Sequence, residues 1–326
     1  MWHTGIYGQK HAIQLLSEAI SKDMLSQSFI FYGPSGVGRR LMALKLAMAV
    51  QCDEGLGVGC GVCRSCQKLI RDTHADWHFV EPEGTGIRID QVRELQQILA
   101  RRPFEGRRRI AVLDPADKMN DPAANALLKL LEEPAPDSLI ILICNNLQRL
   151  LPTIRSRCQL VRFSALSFDD LAATLPESIA EPQRSLLLRL CGGSMGKLKA
   201  LQDDNEWQER RLRHIDWYFG EPSWNTLQRL DFAKERDIEW RDREPWQELW
   251  SQWQSLSRDL LGLSLGMSSR HLLNPDVEGL LKSMPVLPQK SMVKRIEQLE
   301  DAHRQIQANT SPRLVAESLL LSFERQ

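Results

Sequence analysis

The sequence predicts an α/β fold built on a parallel sheet and followed by an all-helical region, and three observations carry that prediction. Short, uniformly apolar segments recur at Ser28–Gly33, Trp77–Val80, Arg109–Asp114 and Leu139–Cys144. Helical stretches separate them, and strands apolar throughout, rather than alternating, belong to a sheet covered on both faces. After about Phe163 such segments stop, and the remaining half of the chain keeps a helical pattern.

In order along the chain, Met1–Leu16 lacks a basic region followed by an apolar core, so it does not read as a signal peptide. The first strand, Ser28–Gly33, is closed by Gly-Pro and leads to a helix over Arg39–Val50. Further helices are expected over Ile89–Arg101, Ala123–Glu133 and Leu147–Arg157, each beside one of the apolar strands. Ser167–Leu175 and Glu181–Leu190 read as a small helical module that ends at the Gly192–Gly193 break. From about Asn205 the composition shifts: seven of the nine tryptophans fall between Trp207 and Trp253. Trp246, Trp250 and Trp253 share a helix face at i, i+4, i+7, as core or as an interface between subunits, and the last helix, Pro312–Phe323, is apolar on one side.

The 326 residues allow two or three domains. A hydrophobic share of 42% and a charged share of 26% fit an ordinary globular protein. The 42 basic and 42 acidic side chains cancel, which argues against DNA binding through the whole surface; any such contact is local or made by partners. The run Arg107-Arg108-Arg109 is either a solvated loop or a local DNA contact, and the first fits net neutrality better. The longest apolar run, about Leu139–Cys144, is far short of a membrane span. Cytosol is the default compartment, where seven cysteines read as metal ligands or small buried hydrophobes before disulfides.

Gly33-Pro-Ser-Gly-Val-Gly38-Arg39-Arg40 follows a strand and opens a helix, which is the setting of a phosphate-binding loop. In that motif Gly33, Gly36 and Gly38 would let backbone N–H groups curl around phosphate oxygens at the helix N-terminus. A lysine then reaches the outer phosphates, and a Ser/Thr hydroxyl holds Mg²⁺. Here both positions are arginine. Arg39 keeps a charge but is a planar fork; Arg40 cannot ligate Mg²⁺ and would bring a second cation where the metal belongs. The companion motif of such ATPases is an apolar strand ending in Asp-Glu. This chain keeps Asp114 and has Pro115 in place of the glutamate. The loop is read as a strand-to-helix turn that does not hydrolyse ATP.

Cys52, Cys60, Cys63 and Cys66 lie among Gly55, Gly57, Gly59 and Gly61. Four thiolates match tetrahedral Zn²⁺ with no open position, a structural site. An iron–sulfur cluster shares part of the spacing, but the following Cys-Pro is absent and the fourth cysteine lies upstream. A redox dithiol fits less well. His74 and His78 are read as loop residues rather than ligands, and Cys144 and Cys191 as structural. Arg155 and Arg157, in Thr153-Ile-Arg-Ser-Arg-Cys158, stand at an expected helix end, where a favourable dipole or solvent alone would account for them.

Four features in this order resemble the bacterial DNA polymerase III clamp-loader family of AAA+ proteins. They are the strand–GPSGVG–helix loop, the cysteine module inserted after that helix, Asn125-Ala-Leu-Leu-Lys-Leu-Leu-Glu-Glu-Pro134, and the Ser156-Arg-Cys triplet. The resemblance covers roughly residues 5–200. It implies an AAA+ core over 1–165 with a zinc module at about 51–67, a helical lid over 166–205, and a helical collar over 206–326 that holds a hetero-pentameric ring together. The family's lid carries Gly-Ser-x-Arg, whose arginine touches the nucleotide; here Gly193-Ser-Met-Gly196 replaces that arginine with glycine. The family's polar sensor falls on Asn145 or Asn146.

With four departures at the nucleotide site, the resemblance points to a non-hydrolysing member. Arg157 would then be an arginine finger offered in trans to ATP on an adjacent gamma/tau subunit. The implied partners are gamma/tau and delta subunits, with the sliding clamp and primer-template DNA engaged through the complex. An active gamma/tau-like ATPase would have a lysine at 39, and an unrelated zinc-containing nucleic-acid-binding module would have a strongly basic face; the sequence has neither.

Overall fold

The computed structural model describes residues 1–84, 86–240, 242–285, 287–308 and 310–323. They form two compact units, one of Met1–Leu175 with Gly192–Lys197 and one of Pro176–Cys191 with the chain from Leu198 onward. The segment 166–205, expected as a separate lid, is thus shared between the two units.

The first unit holds five parallel strands: β1 Ser28–Tyr32, β2 Trp77–Val80, β3 Arg109–Leu113, β4 Ser138–Cys144 and β5 Gln159–Arg162. Their spatial order is β2-β3-β4-β1-β5. Its helices are α1 Lys10–Ser21, α2 Arg39–Gln51, α3 Arg64–Ile70, α4 Ile89–Leu99, α5 Asp121–Glu132, α6 Pro152–Arg155 and α7 Phe168–Ala172. The apolar strands separate into two faces because successive side chains point to opposite sides of the sheet. Phe29, Phe31, Ile110, Val112, Ile141 and Ile143 pack with α1 and α2. Ile30, Ala111, Leu113, Ile140, Leu142 and Cys144 pack with α4 and α5. All seven residues of β4 are buried, as a central strand covered on both sides requires.

Two sequence expectations need correction. β5 is a strand, although Gln159-Leu-Val-Arg162 carries little apolar signal; it lies at the sheet edge, and only Val161 of the four is buried. The single helix expected over Leu147–Arg157 is instead a 3-10 turn at Leu147–Arg149 followed by the four-residue α6. Pro152 explains the break: the residue before a proline is pushed into extended conformation, and Leu151 has ψ 139°. The arginine run is tied to the backbone around it, with Arg107 exposed and Arg108 and Arg109 half-buried. Arg107 donates to the Val50 carbonyl, Arg108 to that of Leu25, and Arg109 to those of Arg101 and Arg102. Beneath it the buried Asp76 accepts the N–H groups of Phe104, Glu105 and Gly106 at 2.7–2.8 Å. Burial alone would raise the Asp76 pKa, but those donors and Arg109 hold it below the usual carboxylate value.

The second unit is helical: α8 Glu181–Leu190, the later part of α9 Met195–Asp203, then α10 Trp207–Gly220, α11 Thr226–Glu239, α12 Glu244–Ser264, α13 Glu278–Ser283, α14 Gln289–Gln307 and α15 Pro312–Ser322. Trp246, Trp250 and Trp253 on α12 are at most 1% exposed and pack with Tyr218, Leu299 and Leu320, so the tryptophan face is helix core. Trp253 Nε1 donates to the His214 carbonyl at 3.0 Å, which satisfies its one polar atom. Among the described residues, no helix is long and apolar enough to cross a membrane.

Candidate functional site

Parallel strands bring their carboxyl ends to one edge of the sheet, where ligands bind in open α/β folds. Gly33 leaves β1 there, Asp114 leaves β3 and Asn145 leaves β4. The loop then passes through Gly38, with φ +96°, into α2. Arg39 is the first residue of α2 and is buried. Its guanidinium turns inward: one terminal nitrogen donates to the Cys144 carbonyl, the other to Asn145 Oδ1 at 2.5 Å. Burial lowers the Arg39 pKa, opposed by the nearby Asp114, and burial likewise raises that of Asp114, opposed by Arg39 and Arg40. The exposed Arg40 lies over the Phe79 ring, 3.9 Å from its centroid, and pairs with Glu81 at 2.7 Å. Neither arginine is aimed at the hollow of the loop as a phosphate lysine would be.

The loop itself is covered from within the same unit. The Gly196 N–H donates to the Gly36 carbonyl at 2.9 Å. A Cβ on Gly36, which has φ +74°, would fall 2.1 Å from Ser194 Oγ, and a Cβ on Gly196 only 3.1 Å from Gly36 Cα. Glycine at both positions is what allows this approach. The residue that replaces the family's lid arginine therefore packs against the loop. Of the two sensor candidates, Asn145 faces this site through Arg39. Asn146 instead caps the following 3-10 turn by accepting from the Gln148 N–H at 2.9 Å.

Arg157 lies at the other end of the sheet. β5 pairs with β1 from Gln159 opposite Phe29 to Arg162 opposite Tyr32. Arg157 precedes β5, so at about 3.3 Å per residue it sits more than roughly 10 Å along the strands from the loop that leaves β1. The buried Ile154 and Cys158 anchor the turn, and burial pushes the Cys158 thiol up to about 12, which keeps it inert. Between them Ser156 and Arg157 are exposed. Arg157 donates to the Thr153 carbonyl at 3.0 Å and pairs with Glu132 at 2.8 Å. Sequence reading did not single out Glu132; a partner 25 positions away leaves no local pattern. Arg155 is turned to Gln148, at 3.0 Å.

The sulfurs of Cys52, Cys60, Cys63 and Cys66 lie within 4.8 Å of one another, the one group of metal-capable side chains so assembled among the described residues. Tetrahedral zinc at about 2.3 Å from each sulfur needs roughly 3.8 Å between sulfurs; Cys52 and Cys63 are 3.9 Å apart. α2 delivers Cys52 as its C-cap, and Cys63 is the N-cap of α3. Backbone N–H groups approach the sulfurs in series: Cys60 to Cys52 at 3.5 Å, Cys63 to Cys60 at 3.3 Å, Cys66 to Cys63 at 3.4 Å. Gly59, at φ +56°, makes the first of these turns, and a Cβ there would meet Trp2 at 2.9 Å. N–H groups of Val62 and Cys63 draw the Cys60 thiol down to about 7, whereas burial raises Cys63 and Cys66. A bound dication draws off such protons. The donor set fits a metal. His74 is outside it: its Nδ1 accepts the Asp76 N–H at 3.1 Å, so Nε2 carries the proton toward Ser65 Oγ at 3.0 Å. His78 lies on β2.

Residues 8–167 match the family described as DNA polymerase III, delta subunit. The chain is 35% identical over 210 residues to the DNA polymerase III subunit delta' of Bacillus subtilis, covering 64% of each chain. It is 42% identical over 176 residues to that of Pseudomonas aeruginosa, covering 52% of this chain and 53% of the relative. The matched part thus spans between about half and two thirds of these relatives' length. A DNA polymerase III gamma-subunit-related protein from Thermotoga maritima has the same fold, with TM-score 0.51, 18% identity, and coverage of 95% of this chain and 97% of that one. The segment matched by the family takes in the phosphate loop, the four cysteines and the Ser156-Arg-Cys triplet, and over it this chain is similar to the delta' subunits of DNA polymerase III.

Proposed function

We propose that this chain is a non-hydrolysing clamp-loader subunit that supplies Arg157 in trans to ATP bound by a neighbouring gamma/tau subunit. It works in a cytoplasmic hetero-pentameric ring with gamma/tau and delta subunits, which loads the sliding clamp on primer-template DNA. Residues 1–165 act as the AAA+ core, 166–205 as its lid and 206–326 as the collar. Zinc held by Cys52, Cys60, Cys63 and Cys66 is structural and takes no part in phosphoryl transfer.

The observation that carries this reading is the placement of Arg157 at the opposite end of the sheet from the chain's own loop. A guanidinium there serves no nucleotide in its own subunit. It is exposed enough to reach one outside, and its planar fork suits two phosphate oxygens. The inward turn of Arg39 and the packing of Gly196 on Gly36 support the other half of the reading. Phosphoryl transfer needs charge on the outer phosphates, a metal-holding hydroxyl and an oriented water. Arg39, Arg40 and Pro115 provide none of the three.

The isolated, monodisperse chain is therefore expected to show no ATP turnover above a buffer control in a steady-state assay. Turnover near that of family ATPases would overturn this part of the reading, while binding without hydrolysis would not.

A further inference from the structure

We propose that Glu132 is a positioning residue for Arg157, an inference that rests on the finger reading above. Glu132 is the last residue of α5, where the helix dipole disfavours a carboxylate. Its placement there is offset by Arg157, whose Nη2 stands 2.8 Å from Glu132 Oε1. The other terminal nitrogen donates to the Thr153 carbonyl at 3.0 Å and lies 3.4 Å from Ser156 Oγ. Each terminal nitrogen thus has its own anchor, one from the finger's own turn and one from a different helix. Together they select one orientation of a long side chain that is otherwise free to sample many. Guanidinium has more N–H donors than these anchors use, so donors remain for an incoming phosphate.

The strength of the pair decides between two roles. Side-chain exposures of 35% for Arg157 and 50% for Glu132 make it a solvent-screened ion pair. Such a pair biases an equilibrium by no more than about fivefold. That is too weak to lock the finger away from a multiply charged phosphate, and sufficient to favour one rotamer before the neighbour's ATP arrives. Glu132 therefore aims Arg157 rather than restraining it.

The test is a double-mutant cycle in the ring reconstituted with its partner ATPase subunits, read as clamp- and DNA-stimulated ATP hydrolysis. Glu132→Ala is expected to lower kcat about two- to fivefold with KM for ATP unchanged, as loss of an orientation used in the transition state should. Glu132→Gln keeps an acceptor oxygen in place and is expected to recover most of that loss. In an Arg157→Ala background, Glu132→Ala should cost nothing further. A Glu132→Ala ring as active as wild type, or more active, overturns the proposal, and so does a loss that persists in full when Arg157 is already alanine. If Arg157→Ala is itself harmless, the finger reading fails and this inference falls with it. An active Arg157 with an uncoupled Glu132 sinks the inference alone.

Discussion

Arg157→Ala is expected to leave folding, metal content and ring assembly intact and to depress ATP hydrolysis by the assembled clamp loader. Fingers supplied in trans are worth roughly 10³–10⁵ in rate in switch GTPases. A loss of about that size is expected at the single site Arg157 serves. In the proposed ring, where other ATP sites would keep fingers of their own, summed turnover should fall less, and clamp loading should fall with it. Folding should survive because the side chain is partly exposed and its anchors lie on the surface, while Ile154 and Cys158 hold the turn. Arg155→Ala should do much less. That residue is committed to Gln148, at 3.0 Å, and stands one position before the serine. Rates from quantified, fully assembled rings separate the two. Equal tolerance of both substitutions, or an Arg157→Ala defect confined to assembly, would reduce Arg157 to an interface residue.

Loss of the metal is expected to have the largest effect on stability. Freshly purified protein should contain about one zinc per chain, retained through dialysis without chelator, since four thiolates leave no labile position. Cys63→Ala should abolish stoichiometric zinc and destabilise the chain by on the order of 4 kcal/mol, the range in which loss of a metal site stands out among single substitutions. The damage should reach beyond the insertion. Cys52 and Cys66 are fully buried in the same apolar cluster as Phe29, Phe31 and Met48, so an unfilled site leaves thiols facing that core. The sheet should nonetheless form, because its opposite face packs separately around Ile30, Leu142 and α5. Elemental analysis paired with denaturant midpoints checks both halves. Stoichiometric iron, or metal-free protein of unchanged midpoint, would contradict the assignment.

The sheet was legible at β1, β3 and β4, where burial on both sides leaves an apolar run that needs no neighbour to interpret, and at the half-buried edge strand β2, where Trp77, Phe79 and Val80 keep that signal. It was illegible at β5, where an edge strand keeps polar residues and its pairing with β1 is set by tertiary contact. The four cysteines were legible because short loops place them together and spacing alone reports it. The tryptophan face was legible as a helix stripe, but only packing shows that Trp246, Trp250 and Trp253 face inward. Asn145 and Asn146 are adjacent, and nothing local distinguishes the one that meets Arg39 from the one that caps a turn. The same limit hid the direction of the Arg39 guanidinium and the Glu132–Arg157 pair, because both depend on residues far away in sequence. Motif reading found which chemistry is missing; only the fold gives the distance between the degenerate loop and the arginine.

The claim that this chain acts on ATP bound elsewhere is tested most directly by titrating it into its partner ATPase subunits while following ATP turnover. Wild-type chain should raise turnover to a plateau at one chain per ring. Arg157→Ala chain should reach the same assembled stoichiometry with a markedly lower plateau, and neither should turn over ATP alone. Equal plateaus for the two chains at equal assembly, or turnover by this chain without its partners, would contradict the account.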